Sequence, residues 1–153
     1  MSDMEYKIND LSESDSVIEI SKSIFSPSWP EAEKYHKKED WIGKINQGGL
    51  LVAVYVEGKL AGFAMCYVTD KDTLHIWLGG VLDKYRGLGL WGGMYNKIEE
   101  YAKIRKYKRL TLNTYKSKYP IMYAFATKHG FSCYKTETTD NLEKSFLERW
   151  LGE

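Results

Sequence analysis

A glycine-rich turn between a strand-like and a helix-like segment is the part of this sequence best suited to chemistry. It runs from Tyr85 to Gly93 and reads YRGLGLWGG. The first backbone N–H groups of a helix lack intrahelical acceptors and the helix dipole adds partial positive charge there, which favours an anion such as phosphate. Gly87 and Gly89 allow the backbone to approach a ligand closely, and Arg86 can add a charge-assisted contact to a phosphate oxygen. The turn therefore predicts a binding site for the diphosphate of a cofactor.

The spacing of these glycines differs from two well-known phosphate-binding motifs. The preceding strand belongs to an antiparallel meander, and no acidic residue ends a parallel strand about 20 residues later, as the dinucleotide fingerprint requires. The Lys and Ser/Thr of a P-loop are also missing from the turn. The alternative is a strand-to-helix turn whose glycines serve packing alone, and the glycines by themselves do not decide between the two interpretations.

Two segments in register resemble signatures of the GNAT superfamily of N-acetyltransferases. The first, Val81 to Leu90, is similar to the family's acetyl-CoA signature, which is Arg/Gln-x-x-Gly-x-Gly/Ala after a strand ending in Val. Lys84 takes the place of the usual Arg or Gln, and Trp91 replaces a further residue that is often glycine. The second, KHGF at 128–131, resembles the family's helix-ending Lys-x-Gly-Phe. Together with the order of the strands, the resemblance covers nearly the whole chain, from about residue 6 to residue 150.

The resemblance implies acetyl-CoA as co-substrate, with no metal. The family places the pantetheine arm beside the splayed end of the fourth strand, and the adjacent glycines at 79 and 80 predict an open edge or a bulge there. A bulge without any ligand is the alternative. Trp91 is expected to point away from the cofactor. The expected cofactor contacts are Gly79, Val81, Leu82, Lys84, Arg86, Gly87, Leu88, Gly89, Leu90 and Trp91.

Acetyl transfer to an amine needs a proton source for the departing thiolate and a base for the amine. Members of the family often use a tyrosine four residues before the glycine of the Gly-Phe signature as the acid, and this chain has Ala126 there. Tyr123, one helical turn earlier, and Tyr119, at the start of the helix, are the substitutes. His75 is the candidate base because only it titrates near neutrality in its strand, and Asn113 is the candidate for orienting the amine or a water. The alternatives are a structural or exposed histidine and a cap or turn asparagine.

The acceptor is expected between the 26–30 loop and the ends of the central strands. Trp29 is a candidate substrate contact in that loop, and Tyr35 and Trp41 would extend an aromatic wall. The alternative for the last two is burial under the helix that carries them. Trp77 is a second candidate contact, because strand alternation places His75, Trp77 and Gly79 on one face, towards the cleft. A small amine or a peptide is the predicted acceptor.

Periodicity and turn signals predict the elements that position these residues. Strands are predicted at 6–8, 50–56, 60–68, 73–82, 109–114 and 131–136, and helices at 12–25, 31–46, 120–128 and from just after 87 to 104. Ser12 is the predicted N-cap of the first helix. The 143–151 segment fits both a strand and a helix, and we favour a strand. The prediction is one α+β domain over 1–153, GNAT-like, with a mixed central sheet of six or seven strands flanked by about four helices.

The composition limits the classes of partner that the chain is expected to bind. Twenty-two basic residues stand against 21 acidic ones, so no overall field attracts the chain to nucleic acid or to an anionic membrane. The N-terminus is acidic and lacks the pattern of a signal peptide. Cys66 and Cys133 are too far apart in sequence for a dithiol motif, and both are expected to be reduced core residues. We therefore expect a cytoplasmic monomer or homodimer.

The working hypothesis is an acetyl-CoA-dependent N-acetyltransferase that transfers the acetyl group directly in a ternary complex, because no cysteine is placed to form an acyl-enzyme. A non-catalytic acyl-CoA-binding sensor or regulatory module is the alternative that Ala126 suggests. A third possibility is an interaction domain that binds no anion.

Overall fold

A computed structural model describes residues 3–25 and 34–152. Seven strands form one mixed sheet in the order β1-β2-β3-β4-β5-β7-β6. The strands are β1 Met4–Ile8, β2 Leu50–Val56, β3 Lys59–Asp70, β4 Thr73–Val81, β5 Arg109–Tyr115, β6 Ser132–Thr139 and β7 Leu142–Trp150. The helices are α1 Ser14–Phe25, α2 Lys38–Asn46, α3 Leu90–Ile104 and α4 Pro120–Lys128. The predicted α+β class, strand number and helix number are thereby confirmed.

The sheet is antiparallel throughout except at its centre. β1 to β4 form an antiparallel meander, β4 and β5 run parallel, and β5, β7 and β6 are antiparallel neighbours. Helix α3 supplies the crossover between β4 and β5, as a parallel pair requires. Leu142–Trp150 is a strand, which confirms the strand favoured over a helix for this segment.

Two hydrophobic cores lie on opposite faces of the sheet. One, containing Leu74, Met94 and Ala126, packs α3 and α4 against one face. The other, containing Val17 and Trp41, packs α1 and α2 against the opposite face. β2 is buried at all seven positions, because it is covered on both faces, and this explains its unbroken apolar sequence.

The start of the first helix was wrongly predicted. Leu11–Glu13 is a short 3-10 turn capped by Asp10, whose carboxylate accepts from the Ser12 backbone N–H at 3.1 Å. The α-helix begins only at Ser14. Ser12 is therefore not the N-cap, because the Asp10 side chain takes that role two residues earlier.

The start of the second helix was also wrongly predicted. Its described part begins at Lys38, and residues 36–37 are not helical. The Trp41 indole N–H donates to the Tyr35 carbonyl at 2.8 Å, so the chain before the helix is held by a side chain rather than by a further helical turn. The end of this helix, at the predicted Gln47-Gly48-Gly49, is confirmed by the left-handed φ of 105° at Gly48.

Candidate active site

The central parallel strands separate towards their C-terminal ends. Their ladder covers only Thr73–Ile76 against Arg109–Leu112, although β4 continues to Val81 and β5 to Tyr115. Beyond Ile76 and Leu112, the structure records no pairing between these two strands. A gap therefore opens in the middle of the sheet, with the turn after β4 at its far end.

A β-bulge in β4 sets which side chains face which side of this gap. Cys66 of β3 lies opposite Ile76, and Met65 lies opposite Leu78, so Trp77 is the extra residue. His75 and Trp77 face the α1–α2 side, where both contact Tyr67. Gly79 faces the opposite side, towards α3.

Two expectations for this strand were therefore wrong. His75, Trp77 and Gly79 do not share one face, because the inserted residue reverses the alternation after it. The bulge also lies at Trp77 rather than at the two glycines, since Gly79 and Gly80 pair regularly with Ala64 and Phe63.

The glycine turn presents a run of unpaired backbone donors. Gly87 and Gly89 have left-handed φ values of 83° and 76°, and a Cβ added to either would meet nothing within 4 Å. The first bond of α3 runs from Gly93 N to Gly89 O at 3.1 Å. Among the described residues, none of the six N–H groups from Gly87 to Gly92 has an acceptor. This arrangement fits an anion with several oxygens.

Two basic side chains flank the turn. The Arg86 Nε donates to the Val81 carbonyl at 3.3 Å, and its Nη2 lies 3.3 Å from the Asp83 carboxylate. The guanidinium is thus already turned along the end of β4, with most of its surface exposed. Lys84 is exposed, with its Nζ 5.1 Å from the centre of the Tyr85 ring. The Leu82 N–H donates to Ala61 O at 2.8 Å, so this residue is held on the β3 side.

The Trp91 side chain points into the sheet. A Cβ on Gly79 would lie 2.7 Å from the Trp91 ring, so glycine at 79 gives the indole its place against β4. The ring also meets Phe125 of α4 edge-on, with 6.1 Å between ring centres. Its Nε1 is buried and has no hydrogen-bond partner among the described residues. The indole lies against β4 and α4, on the α3 side of the sheet.

His75 is buried beside the point where the strands separate. Only 8% of its surface is exposed, and its Nδ1 lies 2.7 Å from the Thr111 hydroxyl of β5. Burial, with a further contribution from Lys144, lowers the pKa of His75 to about 4. The side chain is therefore neutral at pH 7.

The remaining catalytic candidates follow the part of β5 that pairs with β4. Asn113 is exposed on the strand itself. Tyr119 precedes α4 and its N–H donates to Tyr115 O at 2.7 Å, while Tyr123 is half-buried one turn later, with the Lys116 Nζ 4.8 Å from its ring centre. Ala126, by contrast, is fully buried in the core.

The expected substrate contacts are only partly described. Trp29 lies outside the described residues. Trp77 is half-buried and meets Tyr35 edge-on at 6.0 Å. Trp41 has no exposed surface, so it belongs to the core, which is the alternative left open for it, and it does not line a groove.

Sequence reasoning missed a polar cluster next to Trp77. Lys44 of α2 lies 2.8 Å from both carboxylate oxygens of Asp40, and its Nζ is over the rings of Tyr67 and Trp77. Burial and then the Asp40 charge raise the pKa of Tyr67. The i,i+4 spacing of Asp40 and Lys44 was visible in the sequence, but their contact with β3 and β4 was not.

The two cysteines differ in their burial. Cys66 is fully buried, which raises the pKa of its thiol. Cys133 is exposed because β6 is an uncovered edge strand, so the expectation that it is a core residue was wrong.

Within residues 3–25 and 34–152, no three His, Cys, Asp or Glu side chains are grouped to hold a metal ion. No helix in the same part of the chain has the length and apolarity to span a bilayer.

Comparison with known proteins gives a family match and a consistent set of similar folds. The model of the acetyltransferase (GNAT) family matches residues 14–131. A GNAT-family acetyltransferase from Staphylococcus aureus Mu50 aligns with a TM-score of 0.80 at 17% identity, over 98% of this chain and all of that one. A GNAT-family acetyltransferase from Streptococcus pneumoniae gives 0.79 at 13% identity, with 98% and 100% coverage.

A third similar structure contains a ligand. The PaiA N-acetyltransferase from Thermoplasma acidophilum, solved in complex with coenzyme A, aligns with a TM-score of 0.76 at 16% identity, over 97% of this chain and 99% of that one. No curated protein matches the sequence significantly. At these identities the structural likeness concerns the fold.

Proposed function

Because the chain belongs to the acetyltransferase (GNAT) family, whose members transfer acetyl groups from acetyl-CoA, we propose that it acetylates an amine of a small molecule or peptide by direct transfer in a ternary complex. The observation that carries the proposal is the run of six unpaired N–H groups at the start of α3, placed at the open end of the β4–β5 gap. Bound acetyl-CoA would supply the activated acetyl group.

The glycine turn is the proposed holder of the diphosphate. Backbone donors from Gly87 to Trp91 are fixed in place before a ligand arrives, so binding costs little reorganisation. Arg86 and Lys84 add positive charge at the same end of the gap. Along β4, the edge that faces β5 is unpaired from Trp77 to Val81, which leaves backbone groups for the pantetheine amides.

Proton transfer is assigned to two tyrosines at the start of α4. Tyr119 is the N-cap residue and Tyr123 lies in the first turn of the helix, directly after the strand that forms one wall of the gap. Their hydroxyls are the proposed donors to the departing thiolate. Asn113, exposed on β5, is the proposed contact to the amine.

His75 is proposed as a positioning residue. A side chain with a pKa of about 4 is a weak acceptor for the proton of an alkylammonium ion. Its hydrogen bond with Thr111 joins β4 to β5 one residue before the last pair of the ladder, where it would fix the width of the gap. An acyl-enzyme is not proposed, since Cys66 is fully buried in the α3-side core and Cys133 lies on the edge strand β6.

The test is calorimetric titration with acetyl-CoA, followed by measurement of free CoA released with a panel of primary amines. We expect binding in the micromolar range and amine-dependent CoA release. If titration to millimolar acetyl-CoA gave no heat of binding, the proposal would be refuted. Binding without transfer to any amine, unchanged in Tyr123→Phe, would instead support the sensor that the buried Ala126 suggests.

A further inference from the structure

The Asp40–Lys44 cluster has the composition of a site for an organic cation. The Lys44 Nζ lies 2.8 Å from both Asp40 oxygens, 4.8 Å from the centre of the Trp77 ring and 5.2 Å from that of Tyr67. A carboxylate together with two aromatic faces is the combination by which proteins bind ammonium groups. The present occupant is the chain's own lysine.

A cavity of about 340 Å³ adjoins this cluster. Its walls include Glu39, Asp40, Lys44, Gln47 and Tyr67. Glu39 has no ion-pair partner within 4.0 Å in the described part of the chain, so the walls carry one more negative than positive charge. The cavity therefore has room for a ligand and an uncompensated carboxylate to receive a cation.

Trp77 connects this cluster to the gap. It is the bulged residue of β4, at the level where the strand stops pairing with β5. One face of its ring lies over the Lys44 ammonium, and its backbone begins the unpaired edge. A group held at Asp40 in place of the Lys44 ammonium would therefore contact the residue at which the gap begins.

The chemistry of the cluster decides which nitrogen of a substrate it suits. A carboxylate and aromatic faces stabilise the protonated form of an amine, but a nucleophilic amine must be neutral. The nitrogen held at Asp40 is therefore not the one that attacks the thioester. The site fits an acceptor with a second nitrogen that stays protonated while the first one reacts.

We propose that Asp40, Tyr67 and Trp77 bind the second ammonium group of an aliphatic diamine acceptor, which displaces the Lys44 ammonium into solvent. The inference rests on the proposed acetyltransferase function. Lys44 is suited to such displacement because its side chain is 24% exposed and extends from the helix surface. Before substrate binds, it keeps Asp40 and the two rings in the arrangement that the diamine needs.

The test compares 1,4-diaminobutane with 1-aminobutane, which has the same chain length and a single nitrogen. For the unmodified protein, we expect kcat/KM at least about 10-fold higher for the diamine. In Asp40→Asn, this preference should fall to about twofold or less, with the rate on the monoamine unchanged. In Lys44→Met, the KM for the diamine should fall about threefold or more, because the competing ammonium is gone.

Two matched variants serve as controls. Asp15→Asn breaks the ion pair with Lys38, at 3.2 Å, and Lys103→Met breaks the one with Glu99, at 3.0 Å. Neither substituted residue lines the cavity, so both variants should leave the diamine preference unchanged. Acetyl-CoA affinity, measured by calorimetry, should equal that of the unmodified protein in all four variants. If Asp40→Asn fails to fold, the KM change in Lys44→Met decides the question by itself.

Equal kcat/KM values for the two amines would overturn the inference, as would an equal loss on both in Asp40→Asn. If monoamines are acetylated without any preference for the diamine, only this inference fails. If acetyl-CoA does not bind at all, the proposed function fails and the inference with it.

Discussion

Gly89 offers a direct test of the helix-end site. It is the N-cap of α3 with φ of 76°, and a Cβ added there would meet nothing within 4 Å. The cost of Gly89→Ala is therefore conformational rather than steric, about 1–2 kcal/mol for an L-residue in the left-handed region. For a chain of this length, that corresponds to a lower Tm by about 2–4 °C for each kcal/mol.

The same substitution should weaken acetyl-CoA binding. Relief of the left-handed strain rotates the peptide that carries the Leu90 N–H, which is one of the six unpaired donors. Loss of one hydrogen bond to a charged group is worth about 1.5–3 kcal/mol, which is an increase in Kd of roughly 10- to 100-fold. The assays are urea unfolding for stability and calorimetric titration with acetyl-CoA for affinity.

Gly58 provides the matched control. It has φ of 79° and equally open surroundings, and it lies in the turn between β2 and β3, outside the proposed cofactor contacts. Gly58→Ala should lose the same stability and keep the affinity of the unmodified protein. The reasoning is refuted if Gly89→Ala is destabilised and still binds acetyl-CoA as before, or if both variants lose affinity equally.

Three further predictions concern other parts of the site. Gly79→Ala places a methyl 2.7 Å from the Trp91 ring, and should lower the free energy of unfolding by about 1–3 kcal/mol. In a Trp91→Leu background the same substitution should lower it by less. An equal loss in both backgrounds would show that the clash is not with Trp91. The depressed pKa of His75, about 4, means that the unfolded state binds the extra proton between about pH 6.5 and 4. The free energy of unfolding should therefore fall by about 3 kcal/mol as the pH drops through that window, and His75→Gln should remove this slope in acid-titrated urea unfolding. Tyr123→Phe should lower kcat about 100-fold with an unchanged Kd for acetyl-CoA, and if Tyr119→Phe shows that loss instead, the acid is at the start of the helix.

Local sequence patterns predicted most of the elements because each pattern depends on neighbours within a few residues. The apolar runs of β2 and β3, with the turn residues between them, located these two strands. Pro120, at the first position of α4, and Gly130, with φ of 90° after it, bounded that helix as their backbone preferences require. The two helix starts that were missed depend on side chains, namely the Asp10 carboxylate and the Trp41 indole, that replace a regular cap.

The candidate site was harder to predict because its geometry depends on contacts between distant segments. Alternation along β4 placed His75, Trp77 and Gly79 on one face, and a single bulged residue placed Gly79 on the other. Whether a strand contains a bulge is decided by its register with the neighbouring strand, and no signal within β4 itself reports that register. The Asp40–Lys44 cluster was missed for the same reason, since its aromatic faces come from two other strands.

The sequence by itself determined the α+β class, the family resemblance and the turn from Arg86 to Trp91. These features follow from local backbone preferences, such as the freedom of Gly87 and Gly89 to adopt positive φ, and from helix-end physics. Only the tertiary structure decided that β4 and β5 separate after Ile76, that Trp91 packs against Gly79, and that Ala126 is buried in the core. Those outcomes depend on strand register and on side-chain packing between segments far apart in the chain, which local patterns do not encode.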